Sequence, residues 1–373
     1  MKPKLLIDSI SLLSPLTGIG RYTYEVSKYL KNSDDFELSY FYGYYSKQFI
    51  DDKSKNTPLQ ALKSLILKVA FLKRAARILL SITAKEFSPE YDIYWQPNFI
   101  PMSGIKTQKI VTTVHDFSFI LYRDSHPKER IQHIEKSFFE NITKSDILIT
   151  GSEYSKGEIL QRLDFKENQI KVIHHGVNHD IFRLYDKNDL SFDIPKKFIL
   201  CVGSIEPRKN LLGLLKAYEL LSSEIKSEYK LVLVGFKGWQ NTELMDIINS
   251  DKENISYLGF ISDRELAKVY NAASCFVFPS FYEGFGLPPL EAMACATPVI
   301  ASNLSSMPEI CSDSAIYCDP HDSNDIKEKI ESLLNDAQLQ SRMVEKGLQR
   351  AGEFSWEKSA KEHIKVFKEV MES

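Results

Sequence analysis

The sequence has few cysteines, little net charge and no long apolar run, and each shortage removes a class of function. Its five cysteines (Cys201, Cys275, Cys295, Cys311 and Cys318) all lie in the second half of the 373 residues, without Cys-x-x-Cys spacing. A disulfide framework or zinc site is therefore not expected. Most of these residues stand in apolar strand-like or helix-like contexts and read as buried thiols of a reducing cytosol. The formal net charge is only −3, which gives no basis for nucleic-acid binding. No apolar stretch reaches membrane-spanning length. The opening Met1-Lys2-Pro3-Lys4-Leu5-Leu6-Ile7-Asp8 is too short for a secretion signal and is interrupted by Asp8, so it reads as a first strand. Neither a repeat of solenoid period nor a low-complexity tract is present.

An apolar content of 43% beside 26% charged residues is that of a soluble globular protein, and the length suggests two domains. In the first half, strands are expected at Lys4–Ile10, Tyr91–Trp95, Lys109–Thr113, Asp146–Thr150 and Gln169–Ile173. A helix is expected at Tyr22–Leu30, and Glu158–Arg162 falls in a short one. A polar, aperiodic stretch, Asp180 to Lys196, interrupts the pattern and reads as a linker. The alternation then restarts, with strands expected at Phe198–Gly203, Lys230–Gly235, Ile255–Leu258, Cys275–Pro279, Pro298–Ala301 and Ala315–Cys318. Helices are expected at Leu211–Leu221, Glu243–Asn249, Asp263–Ala272, Leu290–Ala294 and Asp325–Leu334. Strands alternating with helices imply an α/β protein with two Rossmann-like, doubly wound parallel-sheet domains facing a cleft. Ligands in such sheets bind beyond the C-terminal strand ends.

The loops at those ends carry the chemistry. Pro279 through Glu291 runs from a buried strand through Gly284-Phe285-Gly286 to a Pro-Pro pair suited to a helix start. Glu283 and Glu291 flank this loop. Backbone N–H groups at a helix start suit a phosphate, and the carboxylates suit hydroxyls. A nucleotide sugar offers both. Ser204-Ile205-Glu206-Pro207-Arg208-Lys209-Asn210 follows another strand. There Asn210 is a good helix cap, and Arg208 and Lys209 are placed for a diphosphate or for solvent. Gly18-Ile19-Gly20 lacks the third glycine of a dinucleotide fingerprint, so nicotinamide is poorly supported. The segment reads either as a tight turn or as a cleft contact. His115, in Val114-His115-Asp116, is either a hydrogen-bond donor to the reacting sugar or a structural histidine satisfied by backbone. His174-His175 has no carboxylate or cysteine at ligand spacing, so no metal is expected there.

With these motifs in order along essentially the whole chain, the sequence resembles the retaining glycosyltransferases of family 4, of GT-B fold. Carrying the resemblance are Thr17-Gly18-Ile19-Gly20-Arg21, Thr113-Val114-His115-Asp116, Gly203 through Asn210, Tyr257-Leu258-Gly259-Phe260, the Glu283-x7-Glu291 element and the closing Phe354-Ser355-Trp356-Glu357. It implies an acceptor-side domain of residues 1–180 completed by a returning helix in 355–373. It also implies a donor-binding domain of residues 196–354. By the same resemblance Glu283 and His115 face the transferred sugar. Gly284, Phe285, Gly286 and Leu287 hold sugar and phosphates, and Arg208 and Lys209 neutralise the diphosphate. Glu291 takes the ribose hydroxyls, Gly259, Phe260 and Ile261 lie near the nucleobase, and Gly18 and Gly20 approach from the other domain. Where many relatives have arginine after the glycine matching Gly203, this chain has Ser204, which puts more of the phosphate charge on Arg208 and Lys209.

Ser14 through Thr23 together with Glu206 through Asn210 is similar to bacterial mannosyltransferases of O-antigen and surface-polysaccharide synthesis. That implies GDP-mannose as donor substrate, no cofactor or metal, and a lipid-linked oligosaccharide acceptor at the cytoplasmic face of the membrane. Residues 61–81 carry Lys63, Lys68, Lys73, Arg74 and Arg77 among apolar residues. They suit either peripheral membrane contact or a solvated basic face. The expected location is cytoplasmic, with that peripheral contact in addition. Alternatives are a different donor such as a UDP-sugar, a nucleotide-sugar epimerase on the same fold, and a non-catalytic sugar-nucleotide sensor.

Overall fold

The computed structural model describes residues 2–13, 18–50, 83–125, 128–185, 194–236 and 242–372. The basic segment 61–81 and residues 14–17 of the opening motif lie outside them, as does part of the expected linker.

Two parallel sheets organise the chain. The first contains β1 (Lys4–Asp8), β2 (Glu37–Phe41), β3 (Tyr45–Ser46), β4 (Tyr91–Gln96), β5 (Thr107–Thr113), β6 (Ile147–Thr150) and β7 (Ile170–Val172). Its order is β3-β2-β1-β4-β5-β6-β7, and only the β2–β3 hairpin is antiparallel. The second contains β8 (Phe198–Val202), β9 (Lys230–Val234), β10 (Ile255–Gly259), β11 (Cys275–Phe278), β12 (Val299–Ser302) and β13 (Ala315–Cys318), in the order β10-β9-β8-β11-β12-β13. Central strands such as Phe198-Ile199-Leu200-Cys201-Val202 are buried along their whole length. They are apolar throughout because helices cover both faces of a parallel sheet. In the second sheet the strand order reverses between β8 and β11, so the loops after these two strands emerge side by side. That is where a ligand crevice forms in such sheets.

The expected strands and helices are present with shifts of a few residues, and the five cysteines are all buried and free. Several elements escaped notice in the sequence. The edge strand β3 and its neighbour β2 are short and partly polar. In the helix Ala337–Gly352 the buried residues are Met343, Gly347 and Ala351, a stripe of mostly small side chains with a weak apolar signal. Gly347 lets this helix lie against Met293, since a Cβ there would come within 3.1 Å of the Met293 side chain.

The chain crosses between the domains twice. After β7 it enters the second domain, and Val177 bridges Ser355 where it returns. The last helix, Trp356–Glu372, then packs on the first domain. Trp356, Ala360, Val366, Phe367 and Val370 share a core with Leu5, Tyr22, Val26 and Trp95. Buried His363 locks the join. Its Nε2 lies 2.6 Å from the Tyr22 hydroxyl and its Nδ1 lies 2.7 Å from the Ser359 carbonyl. The Nδ1–H donates to that carbonyl and Nε2 accepts from the tyrosine. Burial lowers its pKa to about 4, which keeps the ring neutral. Phe367 is fully buried in this join. Phe367→Ala is expected to cost about 3–5 kcal/mol. Urea unfolding should show the loss in the first domain's transition.

Candidate active site

The side-by-side loops after β8 and β11 build the centre of the cleft. Asn210 adopts a left-handed conformation (φ 54°), and its Oδ1 caps the helix Leu211–Glu219 by accepting from Gly213 N at 3.2 Å. Its amide nitrogen donates to the carbonyls of Pro279 and Pro320 at 3.1 and 2.6 Å. This tether draws the Arg208-Lys209 turn onto the β11 loop. Lys209 Nζ then lies 2.6 Å from Glu283 Oε1, and Arg208 Nη1 lies 2.9 Å from Glu283 Oε2. Arg208 also donates to the Tyr282 carbonyl at 2.7 Å. Burial alone would raise the Glu283 carboxyl, but the two cations outweigh it and hold it down at about 2. Arg208 Nε is buried and has no acceptor, so one donor in this wall is unused. Ser204 donates to Glu206 at 2.6 Å.

Past Glu283 the loop presses on the first domain. A Cβ on Gly284 would come 2.0 Å from the His115 carbonyl oxygen, so only glycine fits. The Gly284 carbonyl accepts from Ser152 and Ser155 hydroxyls at 2.7 and 3.0 Å. Tyr282 reaches across as well. Its hydroxyl accepts from Phe117 N at 2.9 Å and donates to Glu158 at 3.2 Å. Gly286 has φ 115°, a conformation that favours glycine, and turns the chain into the helix Leu287–Ala294, with prolines in its first turn. Ser306 donates to the carbonyls of Glu283 and Phe285 and pins the loop from the other side.

Glu291 sits one turn into that helix and is 4% exposed. Arg21, from the first domain, pairs with it and with Asp263, the latter at 2.5 Å. Burial raises the Glu291 carboxyl, Arg21 opposes the rise, and Asp263 adds to it. At the far end of the cleft, Phe236 and Phe260 stack with ring centres 4.2 Å apart, both exposed. These groups line one cavity of about 430 Å³ between the two domains, which is within the range of small-molecule sites. A larger hollow of about 760 Å³ lies between Lys2, Asp92 and Met371. It is at the opposite strand ends, away from the glycine loop and the buried ion cluster, so the chemistry favours the cleft.

Residues 162–350 match the family described as Glycosyl transferases group 1, and residues 16–181 match Glycosyltransferase Family 4. The chain belongs to the group 1 glycosyl transferases. It is similar to O-antigen chain mannosyltransferase B of Escherichia coli, with 33% identity over 98% of this chain and 99% of that one. It is also similar to serotype-specific mannosyltransferase WbdA of the same organism, with 29% identity over 71% of this chain but only 34% of WbdA. Among solved structures, Anabaena HepE in complex with UDP-glucose superposes with a TM-score of 0.72 at 16% identity, covering 98% of this chain and 100% of that one. Sucrose-phosphate synthase from Thermosynechococcus elongatus gives 0.71 at 20% identity over 99% of each chain. These structural neighbours establish the GT-B fold.

In this glycosyltransferase, Gly18, His115, Arg208, Lys209, Phe260, Ile261, Glu283, Gly284, Phe285, Gly286, Leu287 and Glu291 all line the cleft. Gly20, His115 and Gly259 are placed differently from the rest. Gly20 is buried within the first turn of the helix Gly18–Lys31 and does not line the cleft wall, because the helix starts four residues earlier than expected. His115 lies with Nε2 2.8 Å from the Pro97 carbonyl. The Nε2–H must donate there, and burial lowers the ring's pKa, so Nδ1 of the neutral ring is an acceptor. Of its two expected readings, this geometry is that of the structural histidine satisfied by a backbone carbonyl. Gly259 is also absent from the lining. It ends β10 with φ 68° and accepts from Gly235 N at 2.9 Å, so it shapes the turn that presents Phe260.

The sequence reading missed Arg21, Asp263, Tyr282 and Phe236 as cleft or interdomain residues. Arg21 left a signal: an arginine in the first turn opposes the helix dipole, a placement that calls for an acidic partner elsewhere. The interdomain partners of Tyr282 left none.

Two outcomes follow. Gly284→Ala should force the β11 loop off His115 and lower kcat/KM by about tenfold or more through misplaced groups, with the circular dichroism spectrum unchanged. Glu283 has a lowered pKa in the folded state, so its contribution to stability is present above its ordinary value of 4.5 and is lost as pH falls towards about 2. Acid unfolding of Glu283→Gln should show a shallower fall across that window than the wild type.

Proposed function

We propose that the chain transfers mannose from GDP-mannose, with retention at the anomeric carbon and without a metal ion, onto a lipid-linked glycan acceptor of O-antigen or related polysaccharide synthesis. The observation that carries this reading is the Arg208-Lys209 turn facing the Gly284-Phe285-Gly286 loop, with a buried unused donor on Arg208. Transfer leaves a nucleoside diphosphate anion and a cationic anomeric carbon. Cations fixed before the reaction, in a partly dry cleft, stabilise that departing charge without reorganising. Arg208 and Lys209 thereby supply the positive charge that a metal would otherwise bring.

Glu283 is suited to an electrostatic role. A carboxyl held near 2 and engaged by two cations is fully ionised at neutral pH, hence no general acid, and is a weak base and nucleophile. Once the diphosphate draws on Arg208 and Lys209, the carboxylate can turn to the sugar and its growing positive charge. In this reading the departing phosphate deprotonates the acceptor hydroxyl on the same face, which retains configuration. The choice of mannose and of an O-antigen-type acceptor is supported by the mannosyltransferase of Escherichia coli that matches along the full length. The basic segment 61–81 would serve an acceptor held at a membrane surface.

Thermal unfolding with nucleotide sugars tests the reading. GDP-mannose at a hundredfold excess over Kd should add about 2.7 kcal/mol of stability. UDP-glucose should add less, and Glu291→Ala should lose most of the gain. The product formed in EDTA should be the α-mannoside by NMR. A β-linked product, a requirement for divalent metal, or no stabilisation by any nucleotide sugar would overturn it.

A further inference from the structure

Arg21 stands apart from the other cleft cations because it belongs to the first domain while both its partners belong to the second. Its guanidinium reaches from the first turn of the helix Gly18–Lys31 to Glu291 and to Asp263, with the Phe182 ring 5.7 Å from its centre. The helix dipole disfavours a cation at this end, and the one acidic neighbour on its own helix, Glu25, is a weaker influence on it than Glu291 and Asp263. The planar fork instead matches two acceptors at once, one for each terminal nitrogen.

We propose that Arg21 is a positioning residue that couples ribose recognition to closure of the cleft, holding and aiming the Glu291 carboxylate for the ribose hydroxyls of the donor. This rests on the reading of the cleft as a nucleotide-sugar site. A carboxylate offers about four acceptor positions. Arg21 takes one on Oε1, and the Tyr270 hydroxyl stands 3.5 Å from Oε2, which leaves room for a vicinal diol. Glu291 faces Arg21 of one helix, Asp263 and Tyr270 of another, and Cys295 at the end of its own, while Glu25 acts on Arg21 from the same helix. In that company burial and Asp263 favour the protonated acid, and Arg21 is the cation that opposes them. A protonated Glu291 has given up an acceptor position to a proton. The carboxylate that reads ribose is therefore sustained by a residue that touches it only while the two domains are together.

The test is calorimetric titration of the full chain with GDP-mannose and, in parallel, UDP-glucose from pH 6 to 8. The diphosphate diester of either ligand does not titrate in this range. Wild type, Arg21→Gln, Arg21→Lys and Glu291→Gln are compared. Glu291→Gln should bind about tenfold or more weakly, with no pH dependence. Arg21→Gln should lose affinity towards acid, approaching tenfold per pH unit, with its acid limb displaced upward from wild type by about one unit or more. Arg21→Lys should restore much of the wild-type profile. Binding of neither ligand, or binding indifferent to Glu291→Gln, would overturn the nucleotide-sugar reading and this proposal with it. Sensitivity to Glu291→Gln, with an Arg21→Gln profile parallel to wild type or tighter at every pH, would overturn the role of Arg21 alone.

Discussion

Buried Glu283 can be ionised only because Arg208 and Lys209 stand beside it. A carboxylate taken from water without a partner would take up a proton instead. The pairing in turn requires two loops, seventy-odd residues apart in sequence, to emerge within a side chain's reach. Parallel topology provides this by placing β8 and β11 next to each other where the strand order reverses. Asn210 then ties the two loops through the carbonyls of Pro279 and Pro320. Fold, loop geometry and charge are thus one arrangement, and removing any of them leaves a buried charge exposed to its desolvation cost.

The same loop carries the contact between the domains. Gly284 meets the His115 carbonyl where no side chain fits, and Tyr282 reaches from beside it to Phe117 and Glu158. The ion cluster and the domain contact therefore occupy neighbouring residues. A change in the charge around Glu283, such as arrival of a diphosphate, acts on the segment that sets how the domains meet. Across the cleft Arg21 adds a second link of opposite polarity, with a first-domain cation on second-domain carboxylates.

Much of this was legible in the sequence. Apolar runs such as that of β8 announced the parallel strands, and the Pro-Pro pair after the glycine loop announced the helix Leu287–Ala294. Asn210 was readable as a cap because its type fits one role. What could not be read depends on pairing at long range. The His115 ring has two nitrogens, and only the position of the Pro97 carbonyl decides which carries the proton. Gly20 could be a turn or a helix residue until the helix start was known. Arg21 showed an unfavourable placement without showing the carboxylates, more than two hundred residues away, that compensate it.

The returning helix Trp356–Glu372 bears on how the protein is made. Its side chains complete a core whose other members belong to the first domain, among them Leu5, Tyr22 and Val26. The second domain's strands and helices are all synthesised before these 17 residues. The first domain begins to emerge from the ribosome first yet closes its core last, with a patch around Trp95 and Tyr22 open in the meantime. The order of synthesis and the order of completion run in opposite directions.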